Sequence, residues 1–379
     1  MANNIELSKD QEQALEAMLN WYNNRDPSNK QQQVFYLAGW AGTGKTTLAN
    51  IFTQSLPSNH RILYASFTGK AALRMRQAGM RGAQTLHSLI YHVETGKGGK
   101  PIFTLNYGSE LRKANLLILD ECSMVGKELG EDVLSFGTPI LILGDQGQLP
   151  PVKGTGFFTG RKPNATLSEV HRQALENPII QFATDIRLGK PIKKYRDDNL
   201  IVYANKDLVD EYITQVDQIL VGSNKTRRAI NARMREEFNH LGPYPEAGER
   251  VICLRNNRRE KIFNGMIGTL ETDAYFEKEI MYLDFVDEEG NLYQVNAHPE
   301  GFQDDDLLNK MDWEYKKLYN EFTYGYAITV HKSQGSQWDS VMILDDGFLI
   351  WDKPNRKRWL YTAVTRAAEK LIYAKRSKR

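Results

Sequence analysis

With 379 residues, 41% of them apolar and 25% charged, the chain can bury two or three cores and is too balanced for a disordered or fibrous protein. Forty-nine Lys and Arg against 47 Asp and Glu leave a net charge of +2, so a basic surface must come from segregated rather than surplus charge. Cys122 and Cys253 alone exclude a disulfide framework, and without an apolar leader or an eighteen-residue apolar run the expectation is a cytoplasmic protein (host cytoplasm if viral) with no membrane partner.

The first half repeats short unbroken apolar runs: VFYLAG, RILYAS, NLLILDE and PILILGD. Unbroken rather than alternating runs belong to strands covered on both faces, as in a parallel sheet. Helical patterns separate them; Leu48, Ile51, Phe52 and Leu56 share one face and Pro57 stops it. This is an α/β order, in which ligands sit beyond the carboxyl ends of the strands. ETGKGGKPIFTLNYG reads as a small hairpin, at about residues 88–113, or equally as a plain surface loop. In the second half QILVGSN, YGYAITV, SVMILDD and KLIYAK renew the pattern. Between them, at about residues 248–325, short strands with Asn-Gly and Glu-Gly turns read as an inserted β-barrel, followed by a helical stretch, DDDLLNKMDWEYKKLYNEF. The expected domains are 1–172 and 173–379.

GWAGTGKTT has phosphate-loop spacing: Gly39, Gly42 and Gly44 let backbone N–H groups face phosphate oxygens, together with Thr43 and Thr47. Lys45 would pair with the β- and γ-phosphates, and the Thr46 hydroxyl would hold Mg²⁺. In LLILDECSM, Asp120 closes a strand where it can bind Mg²⁺ through water, and Glu121 can deprotonate a water on the γ-phosphate. Asp145 and Gln148 of LGDQGQLPPV would share that sheet edge, with the Gln148 amide sensing the γ-phosphate. An adjacent Glu poised on water favours hydrolysis over phosphoryl transfer to another nucleotide. TVHKSQGSQWD, 329–339, mixes amides, hydroxyls and one cation without a second metal ligand at suitable spacing. Trp40, His87 and His331 also fit purely structural packing roles.

The ordered motifs resemble those of superfamily 1 (1B) DNA helicases, the RecD-like and Dda-like group, across nearly the whole chain. LSKDQ is similar to the Q-motif, which makes Gln11 the adenine reader. SFTGKAA resembles motif Ia and QTLHSL motif Ib, which implies single-strand contacts at Phe67, Thr68, Lys70, Thr85 and His87. In this group Phe67 stands where several members carry Pro. LSEVHRQ and LYTAVTRAAE are similar to the segments whose arginines, here Arg172 and Arg366, reach the γ-phosphate. YAITVHKSQGSQWD resembles motif V, which implies DNA contacts at His331, Lys332, Ser333 and Gln334 and a nucleotide contact at Gly335; QILVGSN adds Asn224. The neutral donors Ser333, Gln334 and Ser336 suit a grip that must release at each step.

The resemblance implies two RecA-like parallel-sheet motor domains with a hairpin insertion (1B) and an SH3-like β-barrel insertion (2B). It further implies ATP and Mg²⁺ use and 5′→3′ movement on single-stranded DNA. The expected partners are duplex DNA with a single-stranded tail and replication or recombination proteins, the expected state a monomer, and the expected setting DNA replication, recombination or repair. Two alternatives stay open: an RNA helicase or nucleic-acid-stimulated remodeller that does not unwind, and a nucleic-acid-binding module with a vestigial ATP site.

Overall fold

The structure is a computed structural model that describes residues 6–95, 101–150, 156–170, 176–203, 212–257, 260, 262–316 and 318–374. The chain divides into two compact units. Unit 1 comprises Met1–Glu94, Phe103–Ile192 and Lys353–Thr365; unit 2 comprises Thr95–Ile102, Lys193–Asp352 and Arg366–Arg379. The division falls at Ile192 rather than at 172, because the helix Pro178–Leu188 packs on the helix Lys353–Val364, which also joins unit 1.

Unit 1 holds β1 (Val34–Gly39), β2 (Ile62–Ser66), β3 (Gln84–Thr85), β6 (Leu116–Asp120), β7 (Ile140–Gly144) and β8 (Ala165–Leu167) in one parallel sheet, in the order β3-β2-β6-β7-β1-β8. The strands β4 (Tyr91–Thr95) and β5 (Pro101–Leu105) pair as a separate two-stranded sheet, the hairpin insertion. Helices α1 (Lys9–Asn24), α2 (Lys45–Gln54), α3 (Gly69–Gln77), α4 (Leu86–Ile90), α5 (Lys127–Leu134) and α6 (Pro178–Leu188) complete the unit with the Lys353–Val364 helix.

The unbroken apolar runs have a direct physical cause. Along β1, Phe35 and Leu37 enter one core while Val34, Tyr36 and Ala38 enter the other. β6 and β7 divide the same way: Ile118 and Leu141 lie on the α1–α2 side, Leu119 and Ile142 on the opposite side. Side chains alternate faces with period two, so a sheet covered twice must be apolar at every position.

Unit 2 has a second sheet, β9 (Tyr195–Arg196), β10 (Leu200–Tyr203), β11 (Gln218–Val221), β18 (Ala327–Thr329), β19 (Trp338–Leu344) and β20 (Ala367–Ala374), in the order β18-β11-β19-β20-β10-β9. All pairs are parallel except β9–β10. Helix α7 (Asn224–Glu237) follows β11. The insertion is antiparallel: β12 (Arg250–Cys253), β13 (Ile267–Leu270), β14 (Tyr275–Glu277), β15 (Ile280–Asp287), β16 (Leu292–Ala297) and β17 (Phe322–Tyr324). It shares one core with the sheet, since Val251, Phe285 and Phe322 pack in the same cluster as Ile219, Val221 and Met342. The acidic stretch forms only short helices, Asp305–Lys310 and Trp313–Lys316. The architecture is thus two RecA-like α/β units with hairpin and SH3-like insertions.

Candidate active site

Sheet order sorts the chemistry of unit 1. Its carboxyl edge runs through the ends of β8, β1, β7, β6, β2 and β3, so the loops after Gly39, Gly144 and Asp120 rise from three adjacent strands. The loops after Ser66 and Thr85 follow next along the same edge.

The phosphate loop turns through Gly42 and Gly44, both in the left-handed region (φ 78° and 77°), and delivers Lys45 as the first residue of α2. Gly39 is obligatory, because a Cβ there would stand 2.6 Å from Thr43 Oγ1 and 3.1 Å from Lys45 Cγ. The Lys45 ammonium donates to the carbonyls of Gly39 and Trp40 at 2.8 and 3.0 Å. Thr43 is buried and donates to Trp40 O at 2.9 Å, while Thr46 is half-buried and Thr47 exposed in the first turn of α2. Gln11 is buried; its Nε2 donates to Thr43 O at 3.1 Å and its Oε1 accepts from Ser8 N at 3.1 Å. The carboxamide proposed for adenine therefore also ties α1 to the phosphate loop.

Asp120 ends β6, and Oδ1 accepts from Glu121 N at 2.7 Å. Burial, then the neighbouring Glu121 charge, hold its carboxyl well above the ordinary range. Glu121 takes the left-handed conformation (φ 53°, ψ 42°), a backbone state that costs a non-glycine residue roughly 1–3 kcal/mol and concentrates at functional sites. Gly144 lets β7 approach, since a Cβ there would lie 2.7 Å from Cys122 Sγ. Asp145 is buried as well; burial raises its pKa against the Lys45 charge, the Tyr361 hydroxyl and the Gly147 amide. Three carboxylates thus gather at one sheet edge around Lys45. The hard oxygen donors of Thr46 and Asp120 fit Mg²⁺, which binds through one or two carboxylates plus substrate phosphates. Gln148 N donates to Asp145 O at 3.3 Å, and its Oε1 is buried without a partner among the described residues.

Tyr361 lies in the LYTAVTRAAE segment, where the sequence points only to Arg366. Its hydroxyl accepts from Ala41 N and donates to Asp145 Oδ2, each at 2.8 Å. Trp40 meets Tyr361 edge-on with ring centroids 6.3 Å apart, and the Arg187 guanidinium lies 4.5 Å from the Trp40 ring centre. Arg172 falls in 171–175, outside the described residues. The segment leading to it is fixed by Asp10, whose Oδ2 accepts from Ser168 N and Glu169 N at 2.7 and 2.9 Å.

At the β2–β3 end, Thr68 and Thr85 cap α3 and α4, accepting from Ala71 N and Ser88 N at 3.2 Å. Lys70 stands half-buried in the first turn of α3. Phe67 and His87 meet edge-on with centroids 5.6 Å apart, and His87 continues to Tyr91 at 5.9 Å and Phe103 at 6.1 Å. Phe103, 46% exposed on the hairpin, ends this aromatic row. The motif residues Phe67 and His87 point to the row; Tyr91 and Phe103 join it only through folding.

In unit 2 the loop after β18 is largely satisfied within itself. Ser333 is buried, with its hydroxyl donating to Val330 O at 2.8 Å, and Gln334 and Ser336 are buried beside it. Gly335 turns the loop at φ 79°. Lys332 reaches the Asn264 carboxamide, and burial brings its ammonium down to about 8. His331 meets Phe348 edge-on at 5.9 Å, and burial lowers its pKa. Asn224 begins α7 and accepts from Arg227 Nε at 3.2 Å. Arg366, 3% exposed, donates from Nη1 to Ser336 O at 3.0 Å, which joins the start of β20 to this loop.

Among the described residues no helix is long and apolar enough to cross a membrane. Residues 6–211 match the AAA domain family, and 324–373 match the UvrD-like helicase C-terminal domain. The chain is 33% identical to the ATP-dependent DNA helicase dda of Enterobacteria phage T4 over 416 residues, covering 88% of this chain and 93% of that one. It is 28% identical to the ATP-dependent RecD2 DNA helicase of Deinococcus radiodurans over 370 residues, 89% of this chain but 46% of the relative, so it spans under half of that protein. The crystal structure of Bacteroides Pif1 bound to ssDNA shares the fold, with a TM-score of 0.56, 19% identity, and coverage of 98% of this chain and 92% of that one.

Proposed function

Because the chain belongs to the superfamily 1B helicases of the RecD, Pif1 and Dda type, we propose that it hydrolyses ATP to travel 5′→3′ along single-stranded DNA and unwind duplexes that carry a single-stranded tail. The observation that supports this best is the order of strand ends in unit 1. Phosphate loop, Asp145–Gln148 loop and Asp120–Glu121 loop adjoin, and the loops of Phe67–Lys70 and Thr85–His87 lie next along the edge. An event at the γ-phosphate can therefore reach a strand-binding loop within one rigid sheet.

In the proposed reaction Lys45 and the loop amides bind the β- and γ-phosphates, and Gln11 reads the adenine. Thr46 and Asp120 would hold Mg²⁺, which when bound neutralises phosphate charge. Glu121 takes a proton from the attacking water onto its carboxylate as the new O–P bond forms and the β–γ bridging bond breaks, releasing ADP and phosphate. Gln148 monitors the γ-phosphate, and Arg172 and Arg366 supply positive charge to the transition state. Strand contacts come from Phe67, Thr68, Lys70, Thr85, His87, Asn224 and the 331–334 segment. That segment's hydroxyls and amides offer neutral hydrogen bonds that can be exchanged at each step.

Unwinding of DNA and RNA duplexes bearing 5′ or 3′ tails, read alongside ATP turnover with and without single strands, tests the proposal. The expected result is ATP- and Mg²⁺-dependent opening of 5′-tailed DNA. A requirement for a 3′ tail overturns the polarity, preference for RNA overturns the substrate, and absence of strand-stimulated turnover overturns the ATPase.

A further inference from the structure

Gln148 sits in a loop whose two ends are held by neighbouring residues of one distant helix. Tyr361 and Thr362 are both buried on the Lys353–Val364 helix. At one end of the loop the Tyr361 hydroxyl donates to Asp145 Oδ2, while Asp145 Oδ1 accepts from Gly147 N at 2.8 Å. At the other end Leu149 N donates to Thr362 Oγ1 at 2.9 Å. The same Tyr361 oxygen accepts from Ala41 N in the phosphate loop. Packing is close as well: a Cβ on Gly147 would stand 2.8 Å from Tyr361 Cε1.

A phenol that donates once and accepts once is fully used here, and each bond it makes ends on a loop of the nucleotide site. Beyond the helix end at Val364 the chain turns through Thr365, whose N and Oγ1 donate back to Tyr361 O and Thr362 O at 3.1 and 3.0 Å, into Arg366. Two hydroxyls therefore hold both ends of the Gln148 loop and join it to the segment that leads into Arg366.

We propose that Tyr361 and Thr362 are positioning residues for ATP hydrolysis, their hydroxyls clamping the Asp145–Leu149 loop so that Gln148 is presented to the γ-phosphate. The inference rests on the ATPase reading above. Neither residue touches the reacting atoms; both act through Gln148 and the Ala41 amide. Misplacement of a catalytic group by about 1 Å lowers rate on the order of 10²-fold without requiring a loss of ground-state binding.

The test uses Tyr361→Phe and Thr362→Val, which remove one hydroxyl each at nearly constant volume, and Thr362→Ser, which keeps it. Three quantities are measured on the full chain: ATP turnover at saturating single-stranded DNA, affinity for a fluorescent ADP analogue, and the thermal midpoint. The expected result is a kcat lowered at least ~10-fold in Tyr361→Phe and Thr362→Val, with KM for ATP and ADP affinity changed less than ~3-fold, and near-normal kcat in Thr362→Ser. An active wild type with kcat unchanged in the first two variants overturns the inference alone. So does a loss confined to nucleotide affinity, or a Thr362→Ser chain as impaired as Thr362→Val. A wild type that turns over no ATP overturns the ATPase reading and this inference with it.

Discussion

The two parallel sheets use their strand ends in opposite ways. In unit 1 the loops after β1, β6 and β7 concentrate charge, with Lys45, Asp120, Glu121 and Asp145 at one edge and two of the carboxyls raised by burial. In unit 2 the loop after β18 carries neutral groups that bond at home, as Ser333 does to Val330, and its one cation is weakened by burial. Buried charge is costly unless a partner compensates it, so the first arrangement is poised for a highly charged ligand. The second arrangement satisfies itself, with Ser333, Gln334 and Ser336 all buried. Under the proposed reading, unit 1 carries most of the hydrolytic groups together with part of the strand contacts, and unit 2 adds neutral contacts and Arg366.

The sharpest way to break this contrast is to remove charge from unit 1 without changing shape. Glu121→Gln should lower turnover by about 10²–10⁴-fold while nucleotide binding persists, as read by single-turnover hydrolysis beside ADP-analogue titration. Normal turnover would remove Glu121 as the base. Lys45→Ala comes next: a loss on the order of 10²–10³-fold in kcat/KM is expected for one transition-state charge partner. At the proposed strand-binding end, Phe103→Ala should weaken binding of single-stranded DNA by about 1–3 kcal/mol, the usual worth of one stacked base, measured by fluorescence anisotropy. An unchanged Kd would confine the aromatic row to packing.

The smallest effect sharpens the unit 2 side. The Lys332 ammonium, at about 8, lies below its ordinary 10.5 because burial disfavours its charge. The native chain therefore gives up this proton near pH 8 and the unfolded chain near 10.5, so this group makes stability rise with pH across that window. If the charge meets a phosphate, DNA affinity must instead fall above pH 8, and Lys332→Gln should flatten that profile and reduce the salt slope by about 1. Identical pH profiles for the two chains would leave Lys332 outside the grip.

What was readable in the sequence followed physical locality. The strands of both sheets announce themselves because two covered faces demand apolar residues at every step, as in VFYLAG and PILILGD. The phosphate loop is local too, its glycines and Lys45 lying within a single turn. The role of Tyr361 was hidden for the opposite reason: although it lies in LYTAVTRAAE, its partners stand 320 and 216 residues away. Phe103 was hidden in a Gly-rich hairpin whose sequence reads equally as loop. At Ser333 the limit is different, since a hydroxyl available to phosphate and one bonded to Val330 have the same letter. The acidic stretch suggested one helix, yet Asp304 and Met311–Asp312 leave the helical path and divide it into short pieces.

Unit 1 is finished by a helix encoded more than a hundred and fifty residues after its other parts, with Trp359, Tyr361 and Thr362 buried in place. A ribosome therefore releases the nucleotide loops long before it delivers the residues that brace them. Until Lys353–Thr365 has emerged, Asp145 lacks its phenol and Leu149 the Thr362 hydroxyl, so a nascent or prematurely terminated chain carries every phosphate-loop residue but an unbraced Asp145–Leu149 loop. Under the proposed reading, folding of the nucleotide loops therefore finishes only when this last helix is delivered.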